Sequence, residues 1–208
     1  EKPQQAPSAR LANNPPQTGH NQQADRQQSP ADAAPAAVSL AGATLDVGQL
    51  WLTTSGDIAA QNASVSAGSW QITGNDLWAE GGVWTQTGDA LSRFQLTGAL
   101  DNRSGSIESQ DLSLQAASLN NANGRLVALG EQAQRWQTDG PIGNDGGLLG
   151  SNGALALDAG SISNVNGTLT SQGSLTMNAR DGINNQQGKI ISGGTLGLST
   201  AGVWDNRD

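Results

Sequence analysis

Ile162-Ser-Asn164-Val-Asn-Gly167-Thr-Leu169, followed by the apolar-x-apolar triplet Leu175-Thr-Met177, is the stretch that decides the fold. The next segment repeats it: Ile183-Asn-Asn185-Gln-Gln-Gly188-Lys-Ile190, then Leu196-Gly-Leu198. Earlier copies are Ile142-Gly-Asn144-Asp-Gly-Gly147-Leu-Leu149 with Leu155-Ala-Leu157, Leu119-Asn-Asn121-Ala-Asn-Gly124, and Leu100-Asp-Asn102-Arg-Ser-Gly105. A further copy begins at Trp204-Asp-Asn206. The asparagines at 102, 121, 144, 164, 185 and 206 are spaced by 19, 23, 20, 21 and 21 residues. A period near twenty with short alternating apolar runs is the signature of a solenoid.

Each copy has a physical reading. Leu155-x-Leu157 and Leu175-x-Met177 put two side chains on one face of a strand, because strand side chains alternate. So few inward residues cannot bury a core alone, and neighbouring copies must stack on them. Gly105, Gly124, Gly147, Gly167 and Gly188 fall between two short strands, where a turn with positive φ is cheapest without a Cβ. The Asn three residues before each Gly recurs once per coil. Its amide is expected to donate to one neighbouring coil and accept from the other, forming a ladder. Strand and turn alternate with no helical stretch, which predicts an all-β fold: a parallel β-helix with coils about 4.8 Å apart.

Upstream the pattern decays. Apolar-x-apolar triplets at Leu50-Trp-Leu52, Trp70-Gln-Ile72 and Phe94-Gln-Leu96 precede Leu112-Ser-Leu114, with starts 20, 24 and 18 apart. Asn62 stands eight residues before Trp70, where later copies have Gly. Residues 40–99 therefore read as irregular coils and 100–208 as regular ones. Between Gly130 and Pro141, Arg135-Trp136-Gln137 replaces the expected Leu-x-Leu and suggests a small bulge or loop. Residues 1–39 hold six of the seven prolines, with Leu11 and Val38 as the only sizeable apolar residues. Such a segment cannot bury enough surface to offset its ordering entropy, so a disordered linker or tail is expected there.

The residue inventory narrows function. Net charge is −8, with ten basic residues scattered along the chain. Binding to nucleic acid or anionic lipid is disfavoured. Cys is absent, which removes disulfides and thiolate metal sites and suits passage through an oxidising periplasm. No signal-peptide pattern and no apolar run long enough to span a membrane is present. The chain begins in linker and stops within a repeat, as an internal piece of a longer protein would.

The pattern Asn-Asn-x-x-Gly, as in Leu119-Asn-Asn121-Ala-Asn-Gly124 and Ile183-Asn-Asn185-Gln-Gln-Gly188, is followed by Gly-x-Leu-x-Leu-type runs at Gly153-Ala-Leu-Ala-Leu157 and Gly173-Ser-Leu-Thr-Met177. It resembles the haemagglutinin repeat of filamentous haemagglutinin and of the contact-dependent growth-inhibition exoproteins. The resemblance covers residues 100–208 well, 40–99 weakly and 1–39 not at all. It implies a right-handed parallel β-helix serving as the shaft of a filament. It also implies export through an outer-membrane transporter of the two-partner secretion pathway and display on the surface of a Gram-negative cell, facing a receptor or glycan. In the family, secretion signals lie in an N-terminal domain and toxin activity in a C-terminal one. Neither is recognisable here.

Few residues offer chemistry. His20 is the one histidine, and it lies in the expected tail. No Ser/His/Asp or Cys/His constellation, metal-ligand set or phosphate-binding Gly motif can be assembled, so neither a metal nor a cofactor is expected. Glu80 and Asp101 are 21 residues apart, about one coil. On adjacent coils they are either solvated acids or a retaining-glycosidase pair about 5 Å apart. Six Trp stand against one Phe and no Tyr. Trp70 matches an inward position. Trp78 and Trp84 match none, so they either pack at an irregular coil or present an exposed pair for a sugar ring or partner surface. A structural shaft is the expected function. A carbohydrate-binding or polysaccharide-processing β-helix is the alternative.

Overall fold

The computed structural model describes residues 38–208. The expected tail through residue 37, with His20, lies outside them. Among the described residues there are twenty-three strands and no helix, and every strand pairing is parallel. The chain winds as a β-solenoid with three faces. One face starts at Val38–Ser39 and continues through Ile58–Ala59, Leu77–Trp78, Ala99–Asp101 and Ser118–Asn120. The second is an eight-stranded sheet from Thr44–Val47 to Lys189–Ser192. The third runs from Leu50–Thr53 to Leu196–Thr200. The long strands Leu155–Ser163 and Leu175–Asn184 bend round a corner and join the third face to the first.

Val38 pairs with Ile58 and Ser39 with Ala59, so residues 38 and 39, placed in the tail by the expected boundary at 40, belong to the solenoid. By register Val38 heads the column Ile58, Leu77, Leu100, Leu119, Ile142, Ile162 and Ile183, and Leu40 packs against the core beside it. All seven followers are buried.

Alternation holds on the third face. Leu155 and Leu157 are buried while Ala156 between them is half-buried. The uneven triplet spacing of 24 and 18 upstream is resolved by Ser92. It occupies the inward slot between Trp70 and Leu112, and Phe94 pairs with Ile72. The coils are then 22 and 20 residues, from 70 to 92 and from 92 to 112. Ser92 is tolerated inside because its hydroxyl donates to Gln86 Oε1 at 2.8 Å and accepts from the Trp70 amide at 3.2 Å. Gln134 does the same one coil on from Leu112, accepting from the Leu112 amide at 2.7 Å. No bulge follows. Gln134–Thr138 is a regular strand, and Trp136 is fully buried between Leu114 and Leu157. The register shift lies instead between Ala159 and Ser161.

Candidate functional site

The turn between the first and second faces is the most repeated local structure. In it the amide of each recurring Gly donates to the carbonyl three residues back: Gly105 to Asn102, Gly124 to Asn121, Gly147 to Asn144, Gly167 to Asn164 and Gly188 to Asn185, all at 3.0–3.1 Å. The asparagines stack at this turn, four of them with no exposed surface. Asn102 Nδ2 donates to Asn121 Oδ1 at 2.7 Å, Asn121 to Asn144 at 2.7 Å, and Asn144 to Asn164 at 2.6 Å. Asn164 donates to Asn185 and Asn185 to Asn206, each at 2.6 Å. The same amide nitrogens also reach backbone carbonyls, for example Asn164 Nδ2 to Gly167 O and Lys189 O, both at 3.2 Å. The amides of Asn121, Asn144, Asn164 and Asn185 thus close their own turns and tie them to the next coil, while that of Asn102 makes only the tie.

The ladder has a direction, with every Nδ2 pointing toward the C-terminal end. Asn102, the first rung, has no donor behind it. Its Oδ1 is a buried acceptor with no partner among the described residues. The residue one coil earlier is Ala79, which carries no amide.

The Gly requirement has a different cause from the one expected. Positive φ falls one residue earlier, at Ser104, Asn123, Gly146, Asn166 and Gln187. The recurring Gly is needed because a Cβ has nowhere to go. At Gly167 it would overlap the Asn144 backbone oxygen and stand 2.5 Å from Asn164 Oδ1. Asn62 is corrected in the same way. Its φ of 55° makes it the equivalent of Ser104, and Ala63 takes the Gly position.

The two tryptophans expected to share one environment part company. Trp84 pairs with Val65 and Ile107 and is fully buried, which overturns an exposed pair. It packs with Trp70 and Phe94, ring centroids 5.7 and 5.9 Å away. The alternation in Val83–Gln86 already carries this signal. Trp78 is half-buried on the outer side of the first face, between Ala59 and Asp101.

Glu80 and Asp101 do meet, but through a cation. The coil here is 23 residues, from Ala79 to Asn102, so Glu80 aligns with Arg103. Arg103 Nε lies 2.9 Å from both Asp101 oxygens, and its terminal nitrogen lies 3.3 Å from Glu80 Oε2. The hydrogen bond and charge of Asp101, with the charge of Glu80, hold the guanidinium above its ordinary pKa. A glycosidase pair needs an open gap for the sugar. Here the gap is filled by a guanidinium. Among the described residues there is no group of three or more His, Asp or Glu placed to hold a metal ion. No helix long and apolar enough to cross a membrane occurs among them.

Comparison with known proteins agrees with the turn. The haemagglutinin-repeat family matches residues 142–176 and 150–206. Deoxyribonuclease CdiA of Dickeya dadantii (strain 3937) is 31% identical over 188 residues, which covers 74% of this chain and 5% of that protein. The chain thus spans a small fraction of the relative it matches. No solved structure matches it.

Proposed function

Because the chain is a haemagglutinin-repeat region of the filamentous haemagglutinin and contact-dependent inhibition type, we propose that it is a shaft segment of a large secreted exoprotein on the surface of a Gram-negative bacterium. Its task is to extend and present a distal binding or toxin domain. It performs no catalytic step itself, and it reaches the surface through an outer-membrane two-partner secretion transporter. The deoxyribonuclease activity in the relative's name belongs, on this reading, to a part of that protein outside the repeats.

The observation that carries the reading is the turn itself. Eight turns, from Leu40–Ala43 to Asn185–Gly188, close with the same backbone hydrogen bond, and each coil pairs only with its neighbours. Such an array gains length by adding coils, without new kinds of contact. Its carboxylates support the reading where they are tied up in ion pairs: Asp101 and Glu80 with Arg103, Glu108 with Arg125, Asp158 with Arg135.

The test removes one coil from the parent exoprotein. Ser161 pairs with Gly182 and Ile162 with Ile183, so deleting residues 162–182 joins matching edges and stacks Asn144 on Asn185. The shaft shortens by about 4.8 Å. Export and surface display, read by immunolabelling of whole cells, should persist. A variant that folds but loses the parent's binding or toxicity would show that this coil belongs to a site and would overturn the shaft reading. Negatively stained particles of a longer repeat region should be thin rods.

A further inference from the structure

Trp51, on the end strand of the third face, is the most exposed tryptophan among the described residues, while Trp78 on the first face is half-buried. Trp51 points outward from Leu50–Thr53 and is 75% exposed, whereas Trp70, Trp84 and Trp136 are fully buried. It borders a shallow groove of about 440 Å³ shared with Gln49, Gln71, Thr53, Thr73 and Leu91. A second groove of about 380 Å³ continues from Leu91 to Ser113 and Arg135. Strand register lines up the floor along the solenoid axis: Trp51 beside Gln71, then Arg93, Ser113 and Arg135. Four strand spacings of about 4.8 Å make it roughly 19 Å long. A parallel outward row, Thr73, Gln95, Gln115 and Gln137, flanks it.

We propose that this trench binds a linear glycan, with one sugar ring stacked on Trp51 and the following residues lying along the axis toward Arg135. The chemistry selects that ligand. An exposed indole on a flat sheet offers a broad apolar face to the C–H side of a pyranose. Around it stand amides and hydroxyls, which both donate and accept, as sugar hydroxyls require. Gln71 is held by its own donation to Leu91 O at 2.8 Å, leaving its amide oxygen free for a hydroxyl. Arg93 is exposed and has no acidic partner among the described residues, so its donors are available to a ring oxygen or a carboxylate. The floor's one exposed aliphatic neighbour is Leu91, too little apolar surface for a protein helix, which needs a continuous hydrophobic groove. The inference is independent of the shaft reading, since a shaft works with or without such a trench.

The test uses the full chain on an array of linear glycans of four or more residues, spanning glucans, N-acetylglucosamine oligomers and uronate-containing polymers. At least one should bind with a Kd below about 1 mM. Trp51→Ala should weaken it at least tenfold and Arg93→Ala at least threefold. Thr176→Ala, on the same face beyond the trench, should leave it unchanged. Because Trp51 is exposed, its variant should unfold at the wild-type temperature, separating lost binding from lost fold. Absence of binding to every glycan, or equal binding by Trp51→Ala, overturns the proposal. So does Trp51-dependent attachment to target cells that survives periodate destruction of their glycans, which would assign the trench to a protein.

Discussion

The coils before Leu100 and those after it close the same turn with different interiors. Upstream the turn starts at Leu40, Ala60 and Ala79; downstream it starts at Asn102 and each later rung. The backbone hydrogen bond is the same in both, at 2.9–3.1 Å. Upstream, Leu40, Ala60 and Ala79 stand at the corner, and Trp70, Trp84 and Phe94 pack together in the interior between the second and third faces. Downstream, stacked asparagines fill the corner, and the backbone oxygen of one with the side-chain amide of the next leaves no room for a Cβ three residues later. This explains a difference in composition at one position. Ala43 and Ala63 are permitted where no amide stands, and Gly is demanded where one does. Coil period and strand register set the fold, while the filling of the corner is a local choice with a local consequence.

The largest expected effect falls on the aromatic half. Trp84→Ala removes a fully buried indole packed on two rings and should cost about 3–5 kcal/mol. Trp78→Ala, half-buried on the outside, should cost less than about 1 kcal/mol. Urea unfolding of the two variants checks the contrast. Equal midpoints would mean that the upstream interior is not packed as described.

Next is the glycine contrast. Gly167→Ala drives a Cβ into the Asn144 backbone oxygen, which cannot move without disturbing the coil. A cost of about 2–3 kcal/mol is expected from such overpacking. At Gly82 the nearest oxygens to a Cβ are 3.0, 3.1 and 3.3 Å away, on Ala79, Ala63 and Ala60. Gly82→Ala should therefore cost under about 1 kcal/mol. If both substitutions destabilise equally, backbone conformation and not the stacked amide explains the Gly.

The amides themselves come third. Asn164→Ala leaves Asn144 Nδ2 without its side-chain acceptor and Asn185 Oδ1 without a donor. It should cost on the order of 2 kcal/mol. Asn102→Ala takes a donor from Asn121 Oδ1 and from the Arg125 carbonyl, but it removes an acceptor that is already unpartnered and leaves no side-chain donor stranded, so about 1 kcal/mol is expected. Thermal melts should rank the two in that order.

Much of this is legible in the sequence, and the rest is not, for physical reasons. The downstream register could be read because Asn, Gly and the Leu-x-Leu run keep fixed offsets. The upstream turns could not, because Leu40, Ala60 and Ala79 carry no turn chemistry of their own. Trp84 looked unplaced because its strand, Val83–Gln86, has only one large inward side chain. Ser92 and Gln134 hid their coils' register by putting polar residues where an apolar one is normal, each rescued by hydrogen bonds that only the fold supplies. Positive φ falls one residue before the Gly, and the sequence does not show this because Asn and Gly are both turn-formers and spacing does not say which of two adjacent positions is left-handed. Trp51 lay in plain view as the middle of Leu50-Trp-Leu52. Alternation alone turns it outward, yet an apolar triplet draws attention to its two inward members.

The smallest effect sharpens the boundary between the two halves. Ala79→Asn would place an amide behind Asn102 and give its orphaned oxygen a donor. The turn can accept it, because the residue three positions on is already Gly82. The new Asn would in turn present its own Oδ1 to Ala60, which has nothing to donate, so the unpaired acceptor moves back one coil and does not vanish. What remains is the added amide hydrogen bonding, and stability should change by no more than about 1 kcal/mol, in the stabilising direction. Ala60→Asn is the matched control. There the residue three positions on is Ala63, whose Cβ would meet the new amide oxygen, so the substitution should destabilise. Adding Ala63→Gly should recover most of that loss. Recovery measured as a non-additive term in the double-mutant cycle is the expected outcome. Simple additivity of the two changes would mean that amide and glycine are not coupled, and the two halves of the solenoid would then differ in composition alone.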